Sequence, residues 1–195
     1  MAKLYFKYGA MNSGKSTILL QSAHNYEERG MRTVIIKPVI DTKGADSVVS
    51  RLGVSRKVHH LVSANDNIRS IIEKDIAENG NLHCIFVDEC QFLSVPQADE
   101  LFWIAVDMDI PVICYGLRTD FLTNGFAASS RLLELAHSIE ELKTICRCGK
   151  KAMFNARKIN GKFVFEGEQV AIDNENNVEY ESLCPVCYLR EKNGK

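Results

Sequence analysis

An excess of charge of either sign is missing from this chain. Across 195 residues, 24 Lys and Arg are offset by 25 Asp and Glu, for a net charge of -1. Binding along a phosphate backbone needs a clustered surplus of Lys and Arg, so a dedicated nucleic-acid module is not expected. Long apolar runs are missing too. The opening MAKLYFKYGAMNSGKS is interrupted by glycines and Lys15, unlike the apolar core of a signal peptide. No apolar stretch is long enough to span a bilayer. A cytoplasmic protein with no membrane partner is the expectation. Internal repeats and low-complexity tracts are also absent. What remains, 46% hydrophobic and 25% charged residues, suits one main core with a small appendage.

Seven cysteines in a cytosolic chain do not suggest a disulfide framework. Cys84, Cys90 and Cys114 stand singly in apolar segments and read as small buried hydrophobes. Cys146, Cys148, Cys184 and Cys187 form two tight pairs. Four thiolates on two separated turns suit a tetrahedral, structural Zn²⁺ that stabilises a lobe with little core of its own. Basic residues of that lobe, Lys150, Lys151, Arg157, Lys158 and Lys162, are offset by Glu166, Glu168, Asp173, Glu175, Glu179 and Glu181. That balance speaks against a nucleic-acid-binding zinc ribbon.

Residues 1–145 alternate strand-like and helix-like patterns, an α/β signature, and residues 146–195 form a second, cysteine-paired piece. Strands are expected over 3–8, 33–37, 83–88 and 110–116, with another leading to Cys146. Helices are expected over 15–29, stopped by Gly30, over a segment capped by Asp66, from Ser94 to Asp107 behind a Ser94/Gln97 capping box, and over 127–137. The polar stretch 40–56 has poor periodicity and reads as a mobile loop, either a surface excursion or a lid facing the phosphates. The C-terminal piece holds few helix-like runs.

Gly9-Ala10-Met11-Asn12-Ser13-Gly14-Lys15-Ser16 matches G-x-x-x-x-G-K-[ST] between an expected strand and an expected helix. The glycines permit close backbone approach, and the loop amides and helix N-terminus converge on an anion. Lys15 supplies a point charge to the β- and γ-phosphates, and Ser16 offers a hydroxyl to Mg²⁺. The buried run Ile85-Phe86-Val87 ends in Asp88-Glu89. After a phosphate loop, Asp88 suits the Mg²⁺ site, and Glu89 is placed to take a proton from an attacking oxygen. Attack by water makes an ATPase, and attack by a substrate hydroxyl makes a kinase; the acid pair itself leaves both open. No Asn-Lys-x-Asp guanine-reading motif is present.

The phosphate loop, Asp88-Glu89-Cys90-Gln91-Phe92, Tyr115-Gly116-Leu117-Arg118-Thr119-Asp120-Phe121, the cysteine pairs and Tyr180 before Cys184 occur in that order. Over residues 4–188 this resembles the thymidine kinase family, which includes cytosolic animal and many bacterial and viral enzymes. The resemblance implies a RecA-like P-loop domain with a mostly parallel sheet and a small C-terminal zinc-binding lasso domain. It implies transfer of the γ-phosphate of ATP to the 5′-hydroxyl of thymidine, with Mg²⁺, in pyrimidine salvage for DNA synthesis. A homotetramer and feedback inhibition by dTTP are implied as well. Glu89 would be the general base, with Asp88, Gln91 and Arg51 beside the phosphates and metal. Phe121 would stack on the base, with Met11, Leu117 and Phe126 as pocket walls. Asn155 would lie near the thymine methyl, where some members have threonine. Tyr180 would lie near the sugar, and the backbone of Val170, Ala171, Ile172 and Asp173 would read the thymine edge. Asp173-Asn174 stand where the family often has two glycines.

Overall fold

The computed structural model describes residues 1–39, 46–169 and 177–194. In chain order the elements are β1 (Leu4–Tyr8), α1 (Lys15–Glu27), β2 (Thr33–Pro38), β3 (Ser47–Val49), β4 (Ser55–Lys57), β5 (His60–Val62), α2 (Ile68–Asn79), β6 (Cys84–Val87), α3 (Val95–Asp107), β7 (Val112–Gly116), α4 (Ala127–Leu135), β8 (Ser138–Glu141), β9 (Thr144–Ile145), β10 (Lys151–Ala152), β11 (Phe154–Ile159), β12 (Lys162–Val164), β13 (Val178–Leu183) and α5 (Pro185–Asn193). A short 3₁₀ turn, Cys90–Phe92, follows β6.

Six strands form one sheet in the order β5-β2-β6-β7-β1-β8, with every pairing parallel. Strand β6 lies inside it, and all four of its residues are buried. A parallel strand covered on both faces has no solvent side, which is why it reads as a continuous apolar run. Its alternate side chains serve different cores. Ile85 and Val87 join α2, α3 and α4 through Ile68, Ile72, Leu101 and Leu132. Cys84 and Phe86 join α1 through Leu19, Leu20 and Ala23. Helices on both faces of a parallel sheet complete the expected α/β layering. Cys84, Cys90 and Cys114 are buried as expected.

The structure alters several local expectations. Asp66 does not cap α2: Asn67 is the N-cap, its side chain accepting from Ser70 N at 2.7 Å. Asp66 Oδ2 instead accepts from Ser63 N, tightening the turn before it. Helix α4 ends at Leu135, and the strand toward Cys146 is split into β8 and the two-residue β9. Strand β7 starts at Val112 rather than at residue 110. Much of the polar stretch 40–56 is not a plain loop, because β3 and β4 pair antiparallel. Val48 anchors that hairpin against α1 in the core containing Leu19 and Phe86. Residues 40–45 lie outside the described residues.

The C-terminal lobe is an antiparallel sheet, β12-β11-β13, with the small β9-β10 hairpin and α5. The helix α5 was not expected. It begins at Pro185, inside the second cysteine pair, where a proline is well tolerated in a first turn. The lobe's buried cluster is Cys146, Ala152, Ala156, Leu183, Cys184, Cys187 and Tyr188. So few apolar side chains make a weak core by themselves.

Candidate active site

The phosphate loop leaves β1 at Gly9, whose N–H donates to Gly116 O at 3.3 Å. A Cβ on Gly9 would lie 2.4 Å from Leu142 O and from Ser13 Oγ, so only glycine fits there. Gly14, at φ +79°, is the N-cap of α1. The first amides of α1 therefore lack intrahelical acceptors and open toward the loop, the usual geometry of an anion cradle. Lys15 is buried, with Nζ donating to Gly9 O and Ala10 O at 3.2 and 3.1 Å. Burial pushes its pKa down, opposed by the charges of Glu89 and Asp88.

Asp88 and Glu89 leave the C-terminal end of β6 beside this loop. Asp88 is 4% exposed, and its pKa is pushed up to about 7, first by burial and then by the charge of Glu89, with Lys37 opposing. Glu89 has φ +50°. A left-handed backbone at a non-glycine residue costs on the order of 1–3 kcal/mol and persists only where the surroundings hold it. Gln91 supplies part of that hold. Its Nε2 donates to Glu89 Oε2 at 2.5 Å, and its Oε1 accepts from Leu117 N at 3.0 Å. Gly116 permits the approach, because a Cβ there would lie 2.6 Å from Cys90 Sγ and from Gln91 Oε1.

A cleft of about 520 Å³ opens over the loop. Lys15, Ser16 and Glu89 line it together with Val49, Arg51 and Leu52 from the β3–β4 hairpin. The hairpin turn closes through Ser50 N to Val54 O at 2.8 Å, with Gly53 at φ +85°. Arg51 is thus brought to the phosphate side, where its charge further lowers the pKa of Lys15. Met11, Asn12 and Gly14 also line this cleft, and Asp88 is buried behind it.

The second half of the expected site follows β7. Leu117, Phe121 and Phe126 are all buried. Phe126 meets Phe92 edge-on at 5.6 Å between ring centroids. Asp120 organises the intervening turn, its Oδ1 accepting from Leu122 N at 2.9 Å and Asn124 N at 2.8 Å. Tyr188 donates its hydroxyl to Phe121 O at 2.6 Å. One face of the Phe121 ring is covered by Arg157, whose guanidinium carbon lies 3.6 Å from the ring centroid. Arg157 Nε donates to Tyr180 OH at 3.1 Å, which ties Tyr180 to this group. Asn155 meets the phosphate loop, its Oδ1 accepting from Met11 N at 2.7 Å. Val170, Ala171, Ile172 and Asp173 lie outside the described residues.

Arg157, Asp120 and Ser182 were not singled out from the sequence as site residues. A period-2 signal existed for two of them. Polar residues alternate at 155 and 157 and at 180 and 182, the pattern of one strand face.

The sulfur atoms of Cys146, Cys148, Cys184 and Cys187 all lie within 4.8 Å of one another. Cys187 N donates to Cys184 Sγ at 3.5 Å, the main reason the Cys184 thiol falls to about 6. Cys187 is pushed the other way, to about 12, first by the Cys148 sulfur beside it. Thiols this close cannot all ionise without a cation among them. An all-sulfur set of four ligands leaves no open position and fits a structural tetrahedral zinc site.

A parallel sheet of this order, a glycine-rich loop feeding a helix, and an acid pair on a neighbouring strand define a P-loop nucleotide-binding protein of RecA-like architecture. The chain belongs to the thymidine kinase family: the family profile described as Thymidine kinase matches residues 2–188. A thymidine kinase of Shewanella oneidensis is 50% identical, over 94% of this chain and 95% of that protein. Those of Rhodopirellula baltica and Legionella pneumophila (strain Paris) are 46% and 45% identical, over 94% and 100% of this chain and 86% and 93% of theirs. Among the described residues, no helix is long and apolar enough to cross a membrane.

Proposed function

We propose that this protein transfers the γ-phosphate of ATP to the 5′-hydroxyl of thymidine, with Glu89 as general base. The observation that carries the reading is the meeting of Lys15, Ser16, Arg51 and Glu89 around one cleft, in a chain 50% identical to a thymidine kinase. The 5′-hydroxyl gives its proton to the Glu89 carboxylate as its oxygen attacks the γ-phosphorus. The bond from that phosphorus to the β,γ-bridging oxygen breaks, and ADP leaves. Gln91 holds Glu89 in place through the 2.5 Å hydrogen bond. Lys15, the loop amides and Arg51 stabilise charge on the transferring group.

Ser16 and Asp88 are the residues that would hold Mg²⁺, since a hydroxyl and a carboxylate are the hard oxygen donors it prefers. The raised pKa of Asp88 fits such a site, because a bound dication relieves the repulsion from Glu89. Bound Mg²⁺ supplies electrostatic relief at the phosphates. The four cysteines would hold Zn²⁺ as a structural ion that shapes residues 146–195, set beside a P-loop domain of residues 1–145. Leu117, Phe121, Phe126 and Tyr180 would enclose the nucleoside, with residues 170–173 reading its base. Three single buried cysteines and four set together for a metal, with no disulfide pairing among them, suit a reducing compartment, which favours the cytoplasm. Homotetramer formation and feedback by dTTP rest on the family resemblance.

The test is to incubate the purified protein with Mg-ATP and each nucleoside in turn, separating the products by chromatography. Thymidine-dependent formation of thymidine monophosphate, suppressed by dTTP, supports the reading. ATP loss indifferent to every nucleoside and raised by DNA would instead point to a nucleic-acid-stimulated ATPase.

A further inference from the structure

The antiparallel pairing of β11 with β13 sets Asn155 opposite Ser182 and Arg157 opposite Tyr180. Residues two apart on a strand share a face, and cross-strand partners share it as well. The four side chains therefore form one polar patch on a single face of the lobe's sheet. Asn155, Arg157 and Ser182 are all buried there, and buried polar groups persist where they are hydrogen-bonded.

Asn155 and Ser182 find their partner, Met11, in the parallel-sheet part of the molecule, whereas the hydrogen bonds of Arg157 go to Tyr180 OH and Gln169 O within the lobe. In the first row, Met11 N donates to Asn155 Oδ1 at 2.7 Å, and Ser182 Oγ donates to Met11 O at 2.5 Å. Both main-chain groups of one phosphate-loop residue are thus held by one cross-strand pair, as a neighbouring strand would hold them. The next residue, Asn12, has φ +65°, and its carbonyl accepts from Thr144 Oγ1 at 3.2 Å. A loop that contains a strained residue keeps its shape only while its surroundings fix it. In the second row, Arg157 covers Phe121 and donates to Tyr180 OH.

We infer that Asn155 and Ser182 are positioning residues for the phosphate loop: the C-terminal sheet fixes the main chain of Met11 and so the aim of the loop amides at the ATP phosphates. This rests on the proposed ATP-dependent reaction and adds a structural link to it. One patch grips the phosphate loop with one row and covers Phe121, on the proposed nucleoside side, with the other. Disturbing the lobe then weakens ATP binding even with no nucleoside present. Had Asn155 and Ser182 served only the nucleoside pocket, their loss would move the nucleoside KM alone.

The experiment measures Mg-ATP affinity calorimetrically, without nucleoside, on the full-length zinc-loaded protein. Ser182→Ala should weaken it by about three- to tenfold, the scale of one lost hydrogen bond. Ser182→Thr, which keeps the hydroxyl, should restore it. Zinc content and melting temperature confirm that each variant is folded. If Ser182→Ala loses its zinc, Asn155→Ala is measured instead, with the same expectation. Wild-type ATP affinity in a folded variant, with only the thymidine KM raised, overturns the inference and leaves the kinase reading intact. Failure of the wild-type protein to bind Mg-ATP overturns that reading and the inference with it.

Discussion

The parallel-sheet part and the C-terminal lobe reach stability by different routes. The first buries whole strands: β6 is covered on both faces and feeds two separate cores. Fully burying one side chain such as Phe86 contributes roughly 1.5–3 kcal/mol, and many such contributions accumulate there. The lobe buries a short cluster in which Cys146, Cys184 and Cys187 stand among Ala152, Ala156, Leu183 and Tyr188. One region is held by apolar area, and in the other four cysteines close enough to share a metal stand beside a small apolar cluster, which the proposed zinc would reinforce. The difference also divides the chemistry, because the phosphate loop and acid pair sit on the region with the larger cores while Asn155, Arg157, Tyr180 and Ser182 sit on the smaller lobe.

Removing the proposed zinc should give the largest effect. Structural zinc contributes on the order of 10–16 kcal/mol of apparent binding free energy in small domains. Chelation should therefore abolish amide protection across β11 and β13 while leaving β6 protected, as hydrogen exchange would record. Equal loss in both regions would break the comparison.

Within the parallel-sheet region, Glu89→Gln should lower turnover by about 10²- to 10⁴-fold, the usual contribution of a general base. Its thermal melting and Mg-ATP binding should stay close to wild type, because the amide keeps the shape of the carboxylate. A pH dependence of smaller size follows from Asp88. Its folded-state pKa, about 7, lies above the ordinary 3.8. The folded protein thus holds a proton that the unfolded chain has released. The stability linked to it is present at acid pH and lost as pH rises through about 7. If Asp88 holds Mg²⁺ as proposed, the ion competes with that proton, so below pH 7 the Mg²⁺ affinity should fall by up to about tenfold per unit. Asp88→Asn should flatten the pH dependence of stability in a denaturation series. The smallest effect expected is at the α2 cap: Asn67→Ala should cost about 1 kcal/mol in chemical denaturation, and Asp66→Ala less.

The parts legible in the sequence were those set by near neighbours. The phosphate loop announces itself because Gly9, Gly14, Lys15 and Ser16 fall at fixed spacing within one short stretch, although the room that demands Gly9 is set in part by Leu142, far away in sequence. Strand β6 was legible because burial on both faces leaves an unbroken apolar run ending in Asp88. The β3–β4 hairpin was not, because strands of three residues are too short for alternation to register. The cap of α2 slipped by one residue because Asp66 and Asn67 are both capable caps and only the turn geometry chooses between them. Ser182 escaped notice because its role depends on the register of β13 against β11 and on the approach of a loop far away in sequence. Asn155 was picked out, yet its contact with Met11 could not be read without that same tertiary arrangement.

The most direct measurement is the stoichiometry of products from one reaction, run with the wild-type protein and Glu89→Gln side by side. The account predicts ADP and thymidine monophosphate in equal amounts, formed only when thymidine is present, with both nearly lost in the variant. ADP release without thymidine monophosphate, or undiminished turnover by Glu89→Gln, would contradict it.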